Sequence, residues 1–151
     1  MKKAVEVMSE LGVAPPAPVD IDRIARDWGL AVEYVKRPRG MHGRVVPERA
    51  VIEVAISDHP NRQRFTLAHE LGHYVLEHNP VFADAEPRGS SNPTAVNERE
   101  ANYFAAVLLM PEEWVRQDWQ KLQDAGRMAG LYRTSAESMW YRLEELRLIK
   151  I

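Results

Sequence analysis

The 151-residue chain contains no cysteine. Disulfides therefore play no part in its folding, and a bound metal must be held by nitrogen and oxygen donors rather than thiolates. No apolar run approaches the roughly 20 residues needed to cross a bilayer. Met1-Lys2-Lys3 leads into the mixed stretch Ala4-Val5-Glu6-Val7-Met8-Ser9-Glu10, not into the apolar segment of a signal peptide, so a cytoplasmic location is expected. A strong charge of either sign is also missing: 20 Lys and Arg against 22 Asp and Glu leave a net charge of -2. That balance speaks against bulk attraction to nucleic acid, because neutralising phosphates needs a clustered positive field. With 45% hydrophobic residues, the chain is long enough for one domain over 1-151 with a real core.

What is present reads as helices, then strands, then helices. Ala4, Val5, Val7, Met8 and Leu11 have helical spacing before Gly12. The segment Ala14-Pro15-Pro16-Ala17-Pro18 is an extended connector into Asp20, a cap for a helix carrying Ile21, Ile24, Ala25 and Trp28. From residue 30 the period shortens. Leu30, Val32 and Tyr34 alternate, and Arg44-Val45-Val46 and Ala50 to Ile56 are β-rich runs divided by Pro47-Glu48-Arg49. A small three-stranded sheet packed on helices, hence an α+β fold, is predicted.

Pro60 opens a helix with apolar residues on more than one side, which Asn79-Pro80 closes. Residues 83–95 read as a surface loop, and a second long helix is expected from about Asn97 to Leu109. Met110-Pro111 restarts the chain as a helix with Trp114, Val115, Trp119 and Leu122. Gly126 and Gly130 bracket a break. Thr134-Ser135-Ala136-Glu137 is a capping box for a last helix with Met139, Trp140, Leu143 and Leu146 on one face.

The most informative residues are 69 to 73, His-Glu-Leu-Gly-His. On a helix, His69 and His73 stand one turn apart on one face, close enough for two imidazoles to share one zinc ion, with Glu70 beside it as general base. This is a zinc-protease signature, and Leu67, Ala68, Leu71 and Gly72 give it a buried setting that two surface histidines would lack. Gly72 would admit another backbone or a substrate. A catalytic zinc needs a third protein ligand, and Glu98 and Glu100 are both available. Glu98 extends the stripe Ala101, Ala105, Leu108 and is favoured, with Asn102 as a supporting neighbour. Glu100 is the alternative, although it also suits a capping box with Asn97. His78, about 140° further round the helix than His73, is expected to support the site or the helix end rather than bind the metal. His42 and His59 read as surface residues. Tyr74 and Tyr103 could assist a transition state, but packing is the commoner role and neither is assigned.

The block Arg62 to His73 followed by Glu98 to Pro111 resembles the ImmA/IrrE family of metallopeptidases. The likeness covers most of residues 1 to 112, about 1-112 being the catalytic core and about 112-151 a helical C-terminal extension. The resemblance implies a zincin-like, gluzincin-type fold with His69, His73 and Glu98 on zinc and Glu70 catalytic. It also implies a protein substrate, a helix-turn-helix repressor, often encoded next door, whose cleavage relieves repression. Longer family members carry further C-terminal domains, for which this chain is too short. The competing expectation is a regulatory binding module with a structural or vestigial zinc site, residues 127 to 151 forming a helix-turn-helix. Its charges, Arg127, Arg133, Arg142, Arg147 and Lys150 against Glu137, Glu144 and Glu145, favour a packing helix over direct nucleic-acid binding.

Overall fold

The computed structural model describes residues 2–78 and 93–150. The chain runs α1 (Lys2–Glu10), α2 (Ile21–Asp27), β1 (Ala31–Val35), β2 (Gly43–Val46), β3 (Val51–Ala55), α3 (Pro60–Val75), α4 (Pro93–Leu109), α5 (Glu112–Leu122), α6 (Ala125–Tyr132) and α7 (Ala136–Glu145). The fold is α+β, as the shift in hydrophobic period predicts. Asp20 caps α2 by accepting from the Arg23 backbone N–H at 3.1 Å, satisfying a donor the helix itself cannot.

The sheet order is β1-β3-β2. β1 runs parallel to β3, with Ala31 opposite Val51 and Val35 opposite Ala55. β2 runs antiparallel to β3, with Val45 opposite Ile52. All five residues of the central strand are buried, which explains why β3 reads as a continuous apolar run rather than an alternating one. Ile52 and Val54 enter the core with Val45 and with Leu67, Ala68 and Leu71 of α3. Glu53, between them, faces the other way. Its carboxylate takes 2.6 Å and 3.3 Å contacts from Arg44 and Arg37, so the buried charge is paired.

His59 caps α3 through its ring, accepting from the Asn61 N–H at 3.0 Å, and Pro60 takes the first helical position. The helix stops at Val75, earlier than the expected close at Asn79-Pro80, a pair outside the described residues. Glu77 turns left-handed at φ 59°. The Glu77 N–H then donates to Tyr74 O and the His78 N–H to His73 O at 2.9 Å, the reversed turn that commonly ends helices. The chain thereby folds back over the last turn of α3.

The second long helix begins at Pro93, not near Asn97. Residues 93–95 of the predicted loop are therefore helical, while 83–92 lie outside the described residues. With four residues of helix ahead of Asn97, Glu100 sits mid-helix and no Asn97–Glu100 capping box exists. The predicted break at Gly126 and Gly130 is also absent: both lie inside α6. Asp124 caps that helix by accepting from the Arg127 N–H at 3.0 Å. Burial of Met128, Ala129 and Tyr132 outweighs the roughly 1 kcal/mol that each helical glycine costs. For α7 the cap is Ser135, which accepts from the Ser138 N–H at 3.0 Å, not Thr134. Met139, Leu143 and Leu146 are buried as expected, but Trp140 is 44% exposed. It follows Met139 directly and so points about 100° away from that face.

The C-terminal helices are fastened to the end of α4. Arg142, only 4% exposed, donates from Nε to the Met110 carbonyl at 2.9 Å and pairs with Glu145. This bond satisfies a carbonyl that the terminus of α4 would otherwise leave free.

Candidate metal centre

His69 and His73 project from one face of α3 with their Nε2 atoms 3.1 Å apart. Glu98 reaches in from α4, with Oε2 at 3.2 Å from His69 Nε2 and Oε1 at 2.9 Å from His73 Nε2. Donors bound to one tetrahedral zinc at ~2.0–2.1 Å stand about 3.3 Å from one another, so this nitrogen, nitrogen, oxygen triangle is of the right size for that ion. The imidazole side chains are each 13% exposed and the Glu98 side chain is 47% exposed, leaving the triangle open on one side.

Packing of α4 against α3 sets this convergence. Ala101, Phe104, Ala105 and Leu108 are fully buried, and Glu98 prolongs the Ala101, Ala105, Leu108 stripe by one turn. A Cβ on Gly72 would lie 3.0 Å from the Phe104 ring. Of the two occupants the sequence allowed at Gly72, a neighbouring chain segment or a substrate, the space admits the first, helix α4. Asn102, one turn beyond Glu98, interacts with His69 and favours its charged form.

Three other side chains and one backbone N–H complete the surroundings. The Glu70 carboxylate lies within 4.8 Å of both histidines, near but not in contact as Glu98 is. Burial pushes its pKa up, against the pull of His69 and His73, and the Val45 backbone N–H is hydrogen-bonded to it. Val45 can reach it because Gly43 brings β2 in close: a Cβ there would lie 2.5 Å from Thr66 Cγ2 and 2.6 Å from the Glu53 carbonyl oxygen. His73 Nδ1 lies 2.9 Å from His78 Nδ1, and His78 Nε2 lies 3.9 Å from Glu100. The two carboxylates of α4 thus separate: Glu98 touches both α3 histidines, while Glu100 faces His78.

The charges are strongly coupled. Hydrogen bonds with His69 and His73 hold the Glu98 carboxyl well below the usual range despite its partial burial. Burial alone would lower the His69 pKa, but its hydrogen bond to Glu98 and the charges of Glu70 and Glu98 raise it. Such a cluster favours a positive charge at its centre.

Of the remaining candidates, His42 pairs with Asp58 at 2.7 Å and His59 caps α3, so neither joins the centre. Tyr74 is part-buried against the core and Tyr103 is 40% exposed. Two participants escaped the sequence reading. The Val45 N–H is a backbone group, invisible to residue identity. Phe65, whose ring stacks on His69 at 6.0 Å between centroids, is one apolar residue of a helix that is apolar on more than one side, so its identity alone does not single it out.

Comparison with known proteins gives a consistent picture. The sequence pattern of the IrrE N-terminal-like domain matches residues 29–144. The chain is 34% identical over 109 residues to the radiation response metalloprotease IrrE of Deinococcus radiodurans, covering 68% of this chain and 33% of that protein. It is 36% identical over 124 residues to the protein of the same name from Deinococcus deserti, covering 78% of this chain and 43% of the relative. Among solved structures, a Mycobacterium tuberculosis transcriptional regulator superposes with a TM-score of 0.72 at 20% identity, over 94% of this chain and 45% of that one, a likeness of fold. The chain spans less than half the length of each of these proteins.

Proposed function

The chain belongs to the ImmA/IrrE family, and from that membership and the geometry of its site we infer that it is a zinc-dependent endopeptidase. The observation that carries the reading is the approach of Glu98 from α4 to within 3.2 Å and 2.9 Å of the two α3 histidines. His69, His73 and Glu98 are the metal ligands in this reading, an oxygen and nitrogen set that suits zinc in a chain without cysteine. A bound zinc supplies Lewis acidity towards a water and a substrate carbonyl.

Glu70 is the general base. It accepts the proton of the attacking water and returns it to the leaving amine, a role that its place within 4.8 Å of both histidines supports. The hydrogen bond from the Val45 N–H holds the carboxylate in place beside the histidines. β2 has a sheet neighbour on one side only among the described residues, and its other edge passes Glu70. An extended segment of a protein substrate can add there as a further strand, which suits an endopeptidase.

The substrate proposed is a helix-turn-helix repressor encoded near this chain's gene, cut inside the cell to relieve repression. Glu70→Gln tests the reading, since it keeps the shape of the side chain and removes the base. Wild type loaded with zinc should cleave the neighbouring repressor. The variant should retain the metal and lose roughly 10²–10⁴-fold in rate. Equal cleavage by the two proteins overturns the mechanism.

A further inference from the structure

The face of α3 that carries His73 and His69 continues one and two turns towards the helix start as Phe65 and Arg62. Phe65 stacks on His69 with an interplanar angle of 29°, and the Arg62 guanidinium lies 5.7 Å over the Phe65 ring. Beyond that ring is a cavity of about 390 Å³ between the start of α3, the end of α4 and the start of α7. Phe65, Leu109 and Met110 give it apolar walls, Ser135 and Ser138 contribute hydroxyls, and Arg62 is its one charged lining residue among the described residues. Leu109 and Met110 are 1% and 3% exposed, so two walls are fixed in the core and do not close onto the space.

We propose that this cavity is the specificity pocket of the peptidase, and that it takes one large apolar side chain of the substrate, aromatic before aliphatic, two or three residues from the scissile bond. The proposal rests on the endopeptidase reading above for its register but not for the binding itself. Its volume falls at the small end of the ~300–1,000 Å³ usual for ligand pockets, room for one side chain rather than for a docking helix. Apolar walls with few polar groups favour a hydrocarbon occupant, and the Arg62–Phe65 stack offers a flat surface on which a second ring gains beyond simple burial.

The register follows from two rises. From His69 to Phe65 is four helical residues, about 6 Å along α3, and the cavity opens beyond Phe65. An extended peptide advances ~3.3 Å per residue. A backbone with its scissile bond at the His69–His73–Glu98 triangle therefore passes the cavity at its second or third residue. Phe65 stacks on His69 and lines the cavity, so one side chain borders both sites.

The test uses the full chain loaded with zinc and two readouts. The first is a library of peptides of defined sequence, with cut positions read by mass spectrometry. The second does not need catalysis: the ¹⁹F resonance of N-acetyl-4-fluorophenylalaninamide, titrated with protein. Ser138→Trp plugs the cavity from α7 without altering α3, and Ser138→Met is a smaller plug should the tryptophan variant fail to fold. Wild type should favour a large apolar residue two or three positions from the cut by at least about tenfold in kcat/KM, and should shift and broaden the fluorine signal. The plugged variant should lose both effects while retaining its zinc and still cutting peptides with a small residue at that position. A cut pattern without this preference, or a preference and probe response unchanged by the plug, overturns the pocket and leaves the peptidase reading standing. Probe binding that the plug abolishes, with no peptide cut by wild type, retains the pocket and overturns the peptidase reading.

Discussion

His78 Nδ1 lies 2.9 Å from His73 Nδ1, so the ring whose Nε2 faces Glu98 is held from behind. One of these two nitrogens must carry the proton. Since His73 Nε2 is directed at the centre, its proton belongs on Nδ1, donated to His78. Such support fixes the tautomer and the tilt of a ligand ring. His78→Phe should therefore weaken zinc binding by about 10–100-fold, read by competition with a chelator of known affinity. Glu100→Gln, removing a charge 3.9 Å from His78, should have a much smaller effect.

Glu98→Ala and Glu100→Ala distinguish the two carboxylates of α4 directly. Elemental analysis after dialysis should find stoichiometric zinc in the Glu100 variant and little in the Glu98 variant. The reverse result would reassign the third ligand.

Gly43→Ala should be among the most damaging small substitutions in the chain. Its methyl would stand 2.6 Å from a backbone oxygen, which cannot rotate aside as a flexible side-chain end can. Overpacking of this kind costs about 3 kcal/mol, read as a fall in the urea midpoint at unchanged slope. Gly72→Ala meets a ring at 3.0 Å and gains up to about 1 kcal/mol of helix propensity. A loss of only about 1 kcal/mol is expected, with weaker zinc binding because α4 carries Glu98 away with it.

Stability should fall in acid through Glu53. The Arg44 hydrogen bond, outweighing burial and helped by the charges of Arg44, Arg37 and Arg49, holds its carboxyl below the ordinary value of 4.5. A depressed carboxyl contributes its stability fully above the unfolded-state value and loses it as pH falls through the lower folded-state value. The melting temperature of wild type should drop more steeply below about pH 4.5 than that of Glu53→Gln. The variant should start lower at neutral pH, since Arg37 and Arg44 lose their partner. Parallel curves would count against Glu53 as the source.

How much of the site was legible depended on how local its geometry is. His69, Glu70 and His73 lie on one helix, and the stripe from Glu98 to Leu108 lies on another, so periodicity alone aligned each. His78 has the supporting place expected of it, but by another route: continuing the helix would put it 140° away, whereas the left-handed Glu77 returns it to His73. Nothing in Leu76-Glu77-His78 signals that turn, as no glycine or asparagine marks it. The start of α4 was obscured in the same way, since Ser-Ser-Asn-Pro-Thr reads as a loop until Pro93 is seen at a first helical position. The order β1-β3-β2, with its parallel pair, depends on contacts between segments about twenty residues apart, which pattern does not encode. The cavity beside Phe65 is built by three helices distant in sequence, so no single stretch could announce it.

Helix α4 behaves as a stiff rod. Glu98 stands near one end and Met110 just past the other, about 18 Å away along the axis at 1.5 Å per residue. The far end is gripped by Arg142 through the Met110 carbonyl. Between these ends the helix is bedded along its length by its buried residues Ala101, Phe104, Ala105 and Leu108, so α3 sets the distance at which the carboxylate meets the two imidazoles and Arg142 keeps the rod from sliding along its own axis. The C-terminal helices thereby act as an end stop for the helix that carries the third carboxylate.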